Sequence, residues 1–453
     1  MKLDGRTYLV FGSGLSGISA AELLIRQKKD VILYEGNETI TKEMVCEKSP
    51  LLKNIEFVSG RLPGDVMAKI DVAVLSPGVP LDNPIVQEMS EMGIKIWGEI
   101  ELAYACFPGK IIAITGTNGK TTTTSLVGEI MKNYFDDVKV VGNIGIPFTS
   151  IVEDTTKDTV VVAEISSFQL ETIHDFKPEI SAILNISPDH LNRHHTMENY
   201  SKIKESVTKS QSLNDICVLN YDDEILTEFA KDLHTNIIWF SSSKRLSEGV
   251  CLDGDDIYCS YAGENHLICN INELKLIGVH NYENVMAAVA IALGFSIPIE
   301  KIKEVIVKFT AVEHRIEYVT TKRGIRFYND SKGTNPDAAI QAVKAMKWPT
   351  CLIGGGYDKD SDYEPWIKSF DGKIKKLVLL GATKEKIADA AKKCGFTEIA
   401  FADDLKEAVS ICYKHAAEGD AVLLSPACAS WGMFRDYEER GNKFKEFVNK
   451  LEE

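Results

Sequence analysis

Several things are missing from this chain, and each absence removes a class of function. None of the ten cysteines stands in a C-x-x-C pair, so Cys46, Cys106, Cys217, Cys251 and Cys428 read with the rest as small buried hydrophobes of a reducing cytoplasm. No apolar run approaches the roughly 18 residues that a membrane span needs, and Met1–Arg6 carries no signal-peptide core. Positive charge is in deficit: 51 Lys and Arg face 66 Asp and Glu, a formal net charge of −15. Nucleic acid is therefore a poor partner. Phosphate substrates stay open, because charges beyond about 8 Å are screened and a few local lysines can outweigh the global sign. There is no internal repeat and no low-complexity segment. What is present is ordinary for a globular protein, with 44% hydrophobic and 26% charged residues. At about 150 residues per domain, 453 residues predict three domains.

The most telling absence is a single glycine. An apolar strand, Lys110–Ile114, runs into TGTNGKTTTT at Thr115–Thr124 and then into a helical pattern over Ser125–Asn133. The phosphate-loop pattern G-x-x-x-x-G-K-[ST] asks for glycine at position 114, where this chain has Ile114. The loop is a variant, yet its context of strand, glycine turn and helix is the one that cradles phosphates. Backbone N–H groups and the helix N-terminus face anionic oxygens. Lys120 adds a point charge worth roughly 4 kcal/mol against a phosphate about 4 Å away at an effective dielectric near 20. The Thr121 hydroxyl is placed to ligate Mg²⁺.

Three α/β blocks can be read along the chain. The first has strands at Thr7–Phe11, Asp30–Tyr34, Val72–Leu75 and Lys95–Trp97, with a helix through Arg26. The second begins near Glu99. Beyond the phosphate loop it has strands at Thr159–Ile165 and Ile180–Asn185, an antiparallel excursion over Val250–Leu276, and helices at Tyr282–Leu293 and Ile299–Phe309. The third starts near Val312, with strands at Ile325–Asn329, Pro349–Ile353, Lys376–Leu380, Glu398–Phe401 and Ala421–Leu424. The predicted domains are 1–98, 99–311 and 312–453. The fold class is α/β: a Rossmann-like first domain, a central phosphate-loop ATPase domain with a mostly parallel sheet, and a Rossmann-like last domain.

Several constellations could carry chemistry. Gly12–Gly17 reads G-x-G-x-x-G after a strand, with Glu35 ending the next strand, the fingerprint of a dinucleotide site. The same turn also serves as a plain strand-to-helix connection, or cradles the pyrophosphate of another nucleotide. Ser76–Val79 ends a further strand of that block and could line the same crevice. Glu164 closes the apolar strand Val160–Glu164, where a carboxylate is costly unless paired or bound to metal. His190 follows the strand from Ile180. Thr196 is a predicted N-cap with Glu198 in the first turn, and Tyr200 and Lys204 share one helix face. Taken alone, Lys204 reads as a solvated lysine. Three polar loops follow strands of the third block: Asn329–Asn335, Gly354–Lys359 and Leu424–Trp431. Each could be an ordinary connection; together they suggest an anion pocket.

These pieces resemble the Mur ligases, the ATP-dependent enzymes that build the peptide of peptidoglycan. The resemblance covers essentially the whole chain. It rests on GTNGKTTTT (Gly116–Thr124), GNIG (Gly142–Gly145), AEISSFQLE (Ala163–Glu171), PDH (Pro188–His190), HNYEN (His280–Asn284), the His314-Arg315 pair, NDSKGTN (Asn329–Asn335) and LSPACASWGMF (Leu424–Phe434). GTNGKT marks the wider superfamily, folylpolyglutamate synthase included. NDSKGTN with SPACAS points to the branch that adds D-glutamate.

The resemblance implies a set of roles. UDP-N-acetylmuramoyl-L-alanine would meet Ser13, Gly14, Leu15, Ser16, Glu35, Ser76, Gly78 and Asn143. ATP would meet Gly116, Thr117, Asn118, Gly119, Lys120, Thr121 and Thr122, with Asn281, Asn284, Arg315 and Asp330 around the adenosine. D-glutamate would be held by Lys332, Thr334, Lys359, Ser430, Trp431 and Tyr437; Trp431 and Tyr437 stand where many relatives have a smaller apolar residue and a phenylalanine. Thr121, Glu164, His190 and Lys204 would hold two Mg²⁺ ions, with Lys204 carbamylated, and Lys120, Lys204, His190 and Glu164 would be the catalytic group. A cytoplasmic monomer is implied, with no nucleic acid and no membrane as partner. Closure of the third domain over the second is expected before chemistry. A nicotinamide-dependent dehydrogenase would explain Gly12–Gly17 but leave the phosphate loop idle. A non-catalytic nucleotide-binding protein would be expected to lack Glu164, His190 or Lys204, and all three are present.

Overall fold

The computed structural model describes residues 3, 5–143, 145–261, 263–310, 312–358 and 360–452. The chain divides into two compact units, Met1–Cys269 with Glu283–Ile306 and Asn270–Tyr282 with Val307–Glu453. Near-continuous apolar runs such as Val160–Glu164 are buried on both faces, the mark of parallel strands covered by helices on each side. Ile111, Ile112, Ala113 and Ile114 are all at most 1% exposed. Each such isoleucine contributes about 1.5–3 kcal/mol relative to an exposed one.

The first unit holds two sheets. One has five parallel strands in the lateral order Glu56–Ser59, Asp30–Glu35, Thr7–Phe11, Val72–Leu75, Lys95–Gly98. The chain reverses its winding between Thr7–Phe11 and Val72–Leu75, so a crevice opens at their carboxyl ends. The other sheet has nine strands in the order Glu264–Asn270, Asp256–Tyr261, Gly249–Asp253, Asn236–Ser241, Ile216–Asn220, Ile180–Ile183, Lys110–Thr115, Val160–Glu164, Val138–Gly142. Strand Lys110–Thr115 lies between the strands that lead to His190 and to Glu164, parallel to both. Gly249–Asp253 and Asp256–Tyr261 pair antiparallel, as expected for the excursion. One apolar cluster, including Trp97, Ile100, Phe148 and Phe176, runs through both sheets.

The second unit holds six strands in the order Glu317–Lys322, Ile325–Asn329, Ala421–Leu424, Thr350–Gly354, Ile374–Leu379, Ile399–Phe401, all parallel except the first. The three polar loops therefore leave three adjacent strands. No cysteine is cross-linked, and seven of the ten are buried; Cys46, Cys106 and Cys394 are only half-buried, against expectation. Among the described residues no helix is long and apolar enough to cross a membrane.

Several element boundaries differ from expectation. The helix after the phosphate loop starts at Lys120 rather than Ser125. Threonine is a weak helix former, but Thr122, Thr123 and Thr124 are buried against the sheet and tertiary packing prevails. The strand from Ile180 stops at Ile183 rather than Asn185, because Asn185 turns aside to bond the phosphate loop. The helix expected at Tyr282–Leu293 spans Val279–Gly294, and the next stops at Ile306 rather than Phe309. Five strands have no counterpart in the sequence reading. Glu56–Ser59, Val138–Gly142 and Glu317–Lys322 are sheet edges, where a half-buried strand needs few apolar residues. Ile216–Asn220 and Asn236–Ser241 lie inside the nine-stranded sheet, and their apolar runs did carry a signal.

Candidate active site

The phosphate loop is held open by its neighbours. Gly116 and Gly119 have φ of 141° and 84°, which side chains rarely adopt. A Cβ on Gly119 would lie 2.2 Å from Asn284 Oδ1, the atom that also accepts from Thr123 Oγ1 at 3.2 Å. Asn185 bonds the loop through the Thr117 N–H to its carbonyl (2.9 Å), the Asn118 N–H to its Oδ1 (2.8 Å), and its own Nδ2 to the Asn118 carbonyl (3.1 Å). Thr117 Oγ1 lies 3.1 Å from the Tyr200 hydroxyl. Gly119 opens the helix with no side-chain cap, leaving the N–H groups of the first turn to an anion. Lys120 Nζ donates to the carbonyls of Gly116 and Thr117, both at 2.8 Å. Thr121 is half-buried beside it.

Lys204 is not a solvated lysine. It is 1% exposed, and its Nζ donates to the Gly116 carbonyl at 2.8 Å and lies 4.8 Å from the Tyr200 ring centroid. Thr196 caps its helix, Met197–Glu205, by accepting from the Asn199 N–H. Burial pulls the Lys204 pKa down to about 7, the Lys120 charge adds to the fall, and Asp189 and Glu164 oppose it. Glu164 is 1% exposed; its Oε1 accepts from Asn143 Nδ2 at 2.7 Å, and its Oε2 is buried with no hydrogen-bond partner. His190 is half-exposed at φ 51°, with its ring 4.9 Å from Phe168 and its Nε2 3.4 Å from Asp189 Oδ2.

Among the described residues no three His, Cys, Asp or Glu side chains cluster to hold a metal. The donor set still fits a divalent cation. Glu164 offers a buried oxygen with nothing bonded to it, Thr121 a hydroxyl, and Lys204 an amine poised to become neutral. An ammonium at that position would repel a cation, so the fit requires Lys204 without its proton.

At the crevice of the five-stranded sheet, a Cβ on Gly17 would lie 1.8 Å from the Gly12 carbonyl oxygen, and one on Gly12 would lie 2.7 Å from Ser76 Oγ. The turn is as tight as its motif requires. Ser13 donates through N–H and Oγ to Glu35 Oε2 at 3.0 and 2.6 Å. Partial burial pushes the Glu35 pKa up, but the bonds from Ser13 and from the Asn37 and Gly36 backbone together outweigh it and hold the carboxyl below its usual range. Gly14 and Leu15 are exposed, Ser16 is half-buried, and a Cβ on Gly78 would meet nothing.

In the second unit, Asp330 is fully buried. It accepts from Ser425 Oγ at 2.8 Å and the Ile316 N–H at 3.3 Å. Burial raises its pKa to about 6 against the pull of Arg315. Asn281 is buried and bonds the Ile277 carbonyl. Lys332 Nζ lies 5.7 Å from the Tyr437 ring centroid, and its N–H bonds the His314 carbonyl; the Thr334 N–H bonds the Lys332 carbonyl. Ser430 is buried, whereas Trp431 is exposed and meets Tyr357 edge-on at 5.5 Å. Lys359 lies outside the described residues.

Sequence reasoning missed Arg440. It is 3% exposed and donates to Ser331 Oγ (3.0 Å), the Ser331 carbonyl (2.8 Å) and the Cys428 carbonyl (3.0 Å), tying two of the three polar loops together. It also missed Asn185, whose place at the end of the strand next to the phosphate loop was the available signal.

Comparison with known proteins gives one consistent result. Residues 6–98 match the family model for a Mur ligase MurD-like N-terminal domain, 114–292 the Mur ligase middle domain, and 314–428 the Mur ligase glutamate ligase domain. The UDP-N-acetylmuramoylalanine–D-glutamate ligase of Lachnoclostridium phytofermentans is 55% identical over 453 residues, covering 100% of both chains. The protein of the same name from Clostridioides difficile is 43% identical, again over 100% of both. Among solved structures, the UDP-N-acetylmuramate-alanine ligase MurC of Thermotoga maritima superposes with a TM-score of 0.60 at 18% identity, covering 98% of this chain and 99% of its own. The MurF ligase of the same organism in complex with ADP gives a TM-score of 0.57 at 15% identity, covering 85% of this chain and 91% of its own. Both structural likenesses speak to fold.

Proposed function

The chain belongs to the Mur ligase family, and from that premise we propose that it joins D-glutamate to UDP-N-acetylmuramoyl-L-alanine at the expense of ATP. The observation that carries this reading is Lys204: buried, bonded to the phosphate loop at Gly116, and held near neutrality in the neighbourhood of Glu164. A lysine of ordinary pKa, about 10.4, is neutral in roughly one molecule in 2,500 at pH 7, whereas one near 7 is half neutral and open to carbamylation.

The residues divide the work by region: 1–98 for the UDP-linked substrate, 99–311 for ATP and 312–453 for the amino acid. Ser13, Gly14, Leu15, Ser16, Glu35, Ser76, Gly78 and Asn143 orient the UDP-linked substrate. Gly116–Thr122 and Lys120 cradle the triphosphate, and Asn281, Asn284, Arg315 and Asp330 surround the adenosine. Two Mg²⁺ ions, held by Thr121, Glu164, His190 and carbamylated Lys204, would neutralise charge on the phosphoryl group in transfer. The alanyl carboxylate attacks the γ-phosphate, ADP leaves and an acyl phosphate remains. The amine of D-glutamate attacks that carbonyl; the tetrahedral intermediate loses a proton and expels phosphate to leave the amide. Lys332, Lys359, Thr334, Ser430, Trp431 and Tyr437 hold the amino acid. Each charge-assisted bond to one of its two carboxylates contributes about 1.5–3 kcal/mol. The reaction is assigned to the cytoplasm.

Phosphate release tests the proposal. With ATP, Mg²⁺ and UDP-N-acetylmuramoyl-L-alanine, release is expected on adding D-glutamate and not on adding L-glutamate, D-aspartate or lysine. No release with the D-enantiomer would refute it.

A further inference from the structure

We propose that Arg193 is a positioning residue that couples the UDP-substrate crevice to the turn bearing His190, so that filling one sets the other. The proposal rests on the ligase reading above. Helix Leu191–His194 is a single turn flanked by His190 and His195, whose φ values of 51° and 66° lie where few non-glycine residues are found. Such a turn holds only where its surroundings fix it, and Arg193 reaches out from it in two directions. Its Nε and Nη2 form a fork on Glu171, 3.1 Å from Oε1 and 2.5 Å from Oε2, and the guanidinium lies 4.3 Å from the Phe168 ring centroid. His194 joins the same cluster, with Nε2 3.0 Å from Ser167 Oγ and Nδ1 3.3 Å from Glu171 Oε1. In the other direction, Arg193 Nη1 donates to the Pro77 carbonyl and Nη2 to the Val79 carbonyl, both at 3.1 Å.

Those two carbonyls belong to the turn that follows strand Val72–Leu75. Its Val79 N–H closes on the Ser76 carbonyl at 2.9 Å, and Ser76 Oγ is buried with no hydrogen-bond partner, against the tight glycines Gly12 and Gly17. One guanidinium thus spans from the crevice of the five-stranded sheet to the metal-side turn of the nine-stranded sheet. The side chains of Arg193 and Glu171 are only 13% and 8% exposed, so water cannot readily replace a bond that breaks. A shift of the Ser76–Val79 turn strips two acceptors from a largely buried cation, and the His190 turn moves with it or loses them. The coupling is reciprocal: by whatever factor nucleotide and metal at the second sheet tighten the UDP-linked substrate at the first, that substrate tightens them.

The test is calorimetric binding of UDP-N-acetylmuramoyl-L-alanine, alone and with Mg²⁺ plus a non-hydrolysable ATP analogue. In the unaltered protein the second affinity should exceed the first by about tenfold. Arg193→Lys keeps a cation opposite Glu171 but cannot reach both carbonyls in a fork; its ratio should fall to about one, with each ligand alone still bound. Glu171→Gln, which frees the fork, should give an intermediate ratio and serves if Arg193→Lys does not fold. A ratio of one in the unaltered protein, or an undiminished ratio in either variant, overturns the coupling. Failure of the unaltered protein to bind the UDP-linked substrate at all overturns the ligase reading instead.

Discussion

Gly119 has room for a hydrogen and little else. A methyl group there would meet Asn284 Oδ1 at 2.2 Å, on a backbone whose φ of 84° already disfavours a side chain. Gly119→Ala should therefore cost about 1–3 kcal/mol in stability and abolish ATP binding. Adding Asn284→Ala removes the collision but not the backbone strain, so denaturant midpoints should recover only in part. Lys204 makes a prediction about pH. Its ordinary value is 10.5 and its folded value about 7, so between those limits the unfolded chain holds a proton that the folded chain has released. Stability should rise as pH increases from about 7 toward 10.5, with the burial penalty complete below 7. Urea midpoints in buffers purged of carbon dioxide should show that slope, and Lys204→Met should lack it. The sequence placed Lys204 on the right helix face next to Tyr200. Its burial was not legible, because that depends on a strand and a loop about 90 residues away.

At the level of elements, the strand-and-loop pattern was readable because parallel strands announce themselves as apolar runs and their loops as polar breaks. Three polar loops in the third block suggested one pocket, and the order Ile325–Asn329, Ala421–Leu424, Thr350–Gly354 makes them neighbours. What binds two of them together could not be read. Arg440 sits in helix Tyr437–Asn449, whose glutamates and lysines read as a solvated surface, yet its guanidinium is buried on Ser331 and Cys428. Arg440→Met removes charged hydrogen bonds of about 1.5–3 kcal/mol each and frees both loops. The expected result is a raised KM for D-glutamate with the KM for the UDP-linked substrate little changed, read from steady-state kinetics.

For the molecule as a whole, ligands that bind only the folded state should raise its melting temperature. At 100 times its Kd, the UDP-linked substrate should add about 2.7 kcal/mol, and calorimetric scans with and without it measure that gain. A flat response would count against the assignment of residues 1–98. The alternation of strands and helices had already marked an α/β protein, and composition an acidic one, while three edge strands escaped notice because their outer sides ask so little of the sequence. The cysteines have a further use. Four of the seven buried thiols, Cys217, Cys251, Cys259 and Cys269, fall in one unit, and Cys351, Cys412 and Cys428 in the other. Burial also pushes Cys217 up to about 12 and Cys259 and Cys351 to about 11, which keeps them sluggish toward alkylating reagents until the fold around them parts. Each half of the protein consequently carries its own built-in stopwatch: peptide mass spectra taken during timed exposure to iodoacetamide would show which half breathes first, with no mutation and no dye.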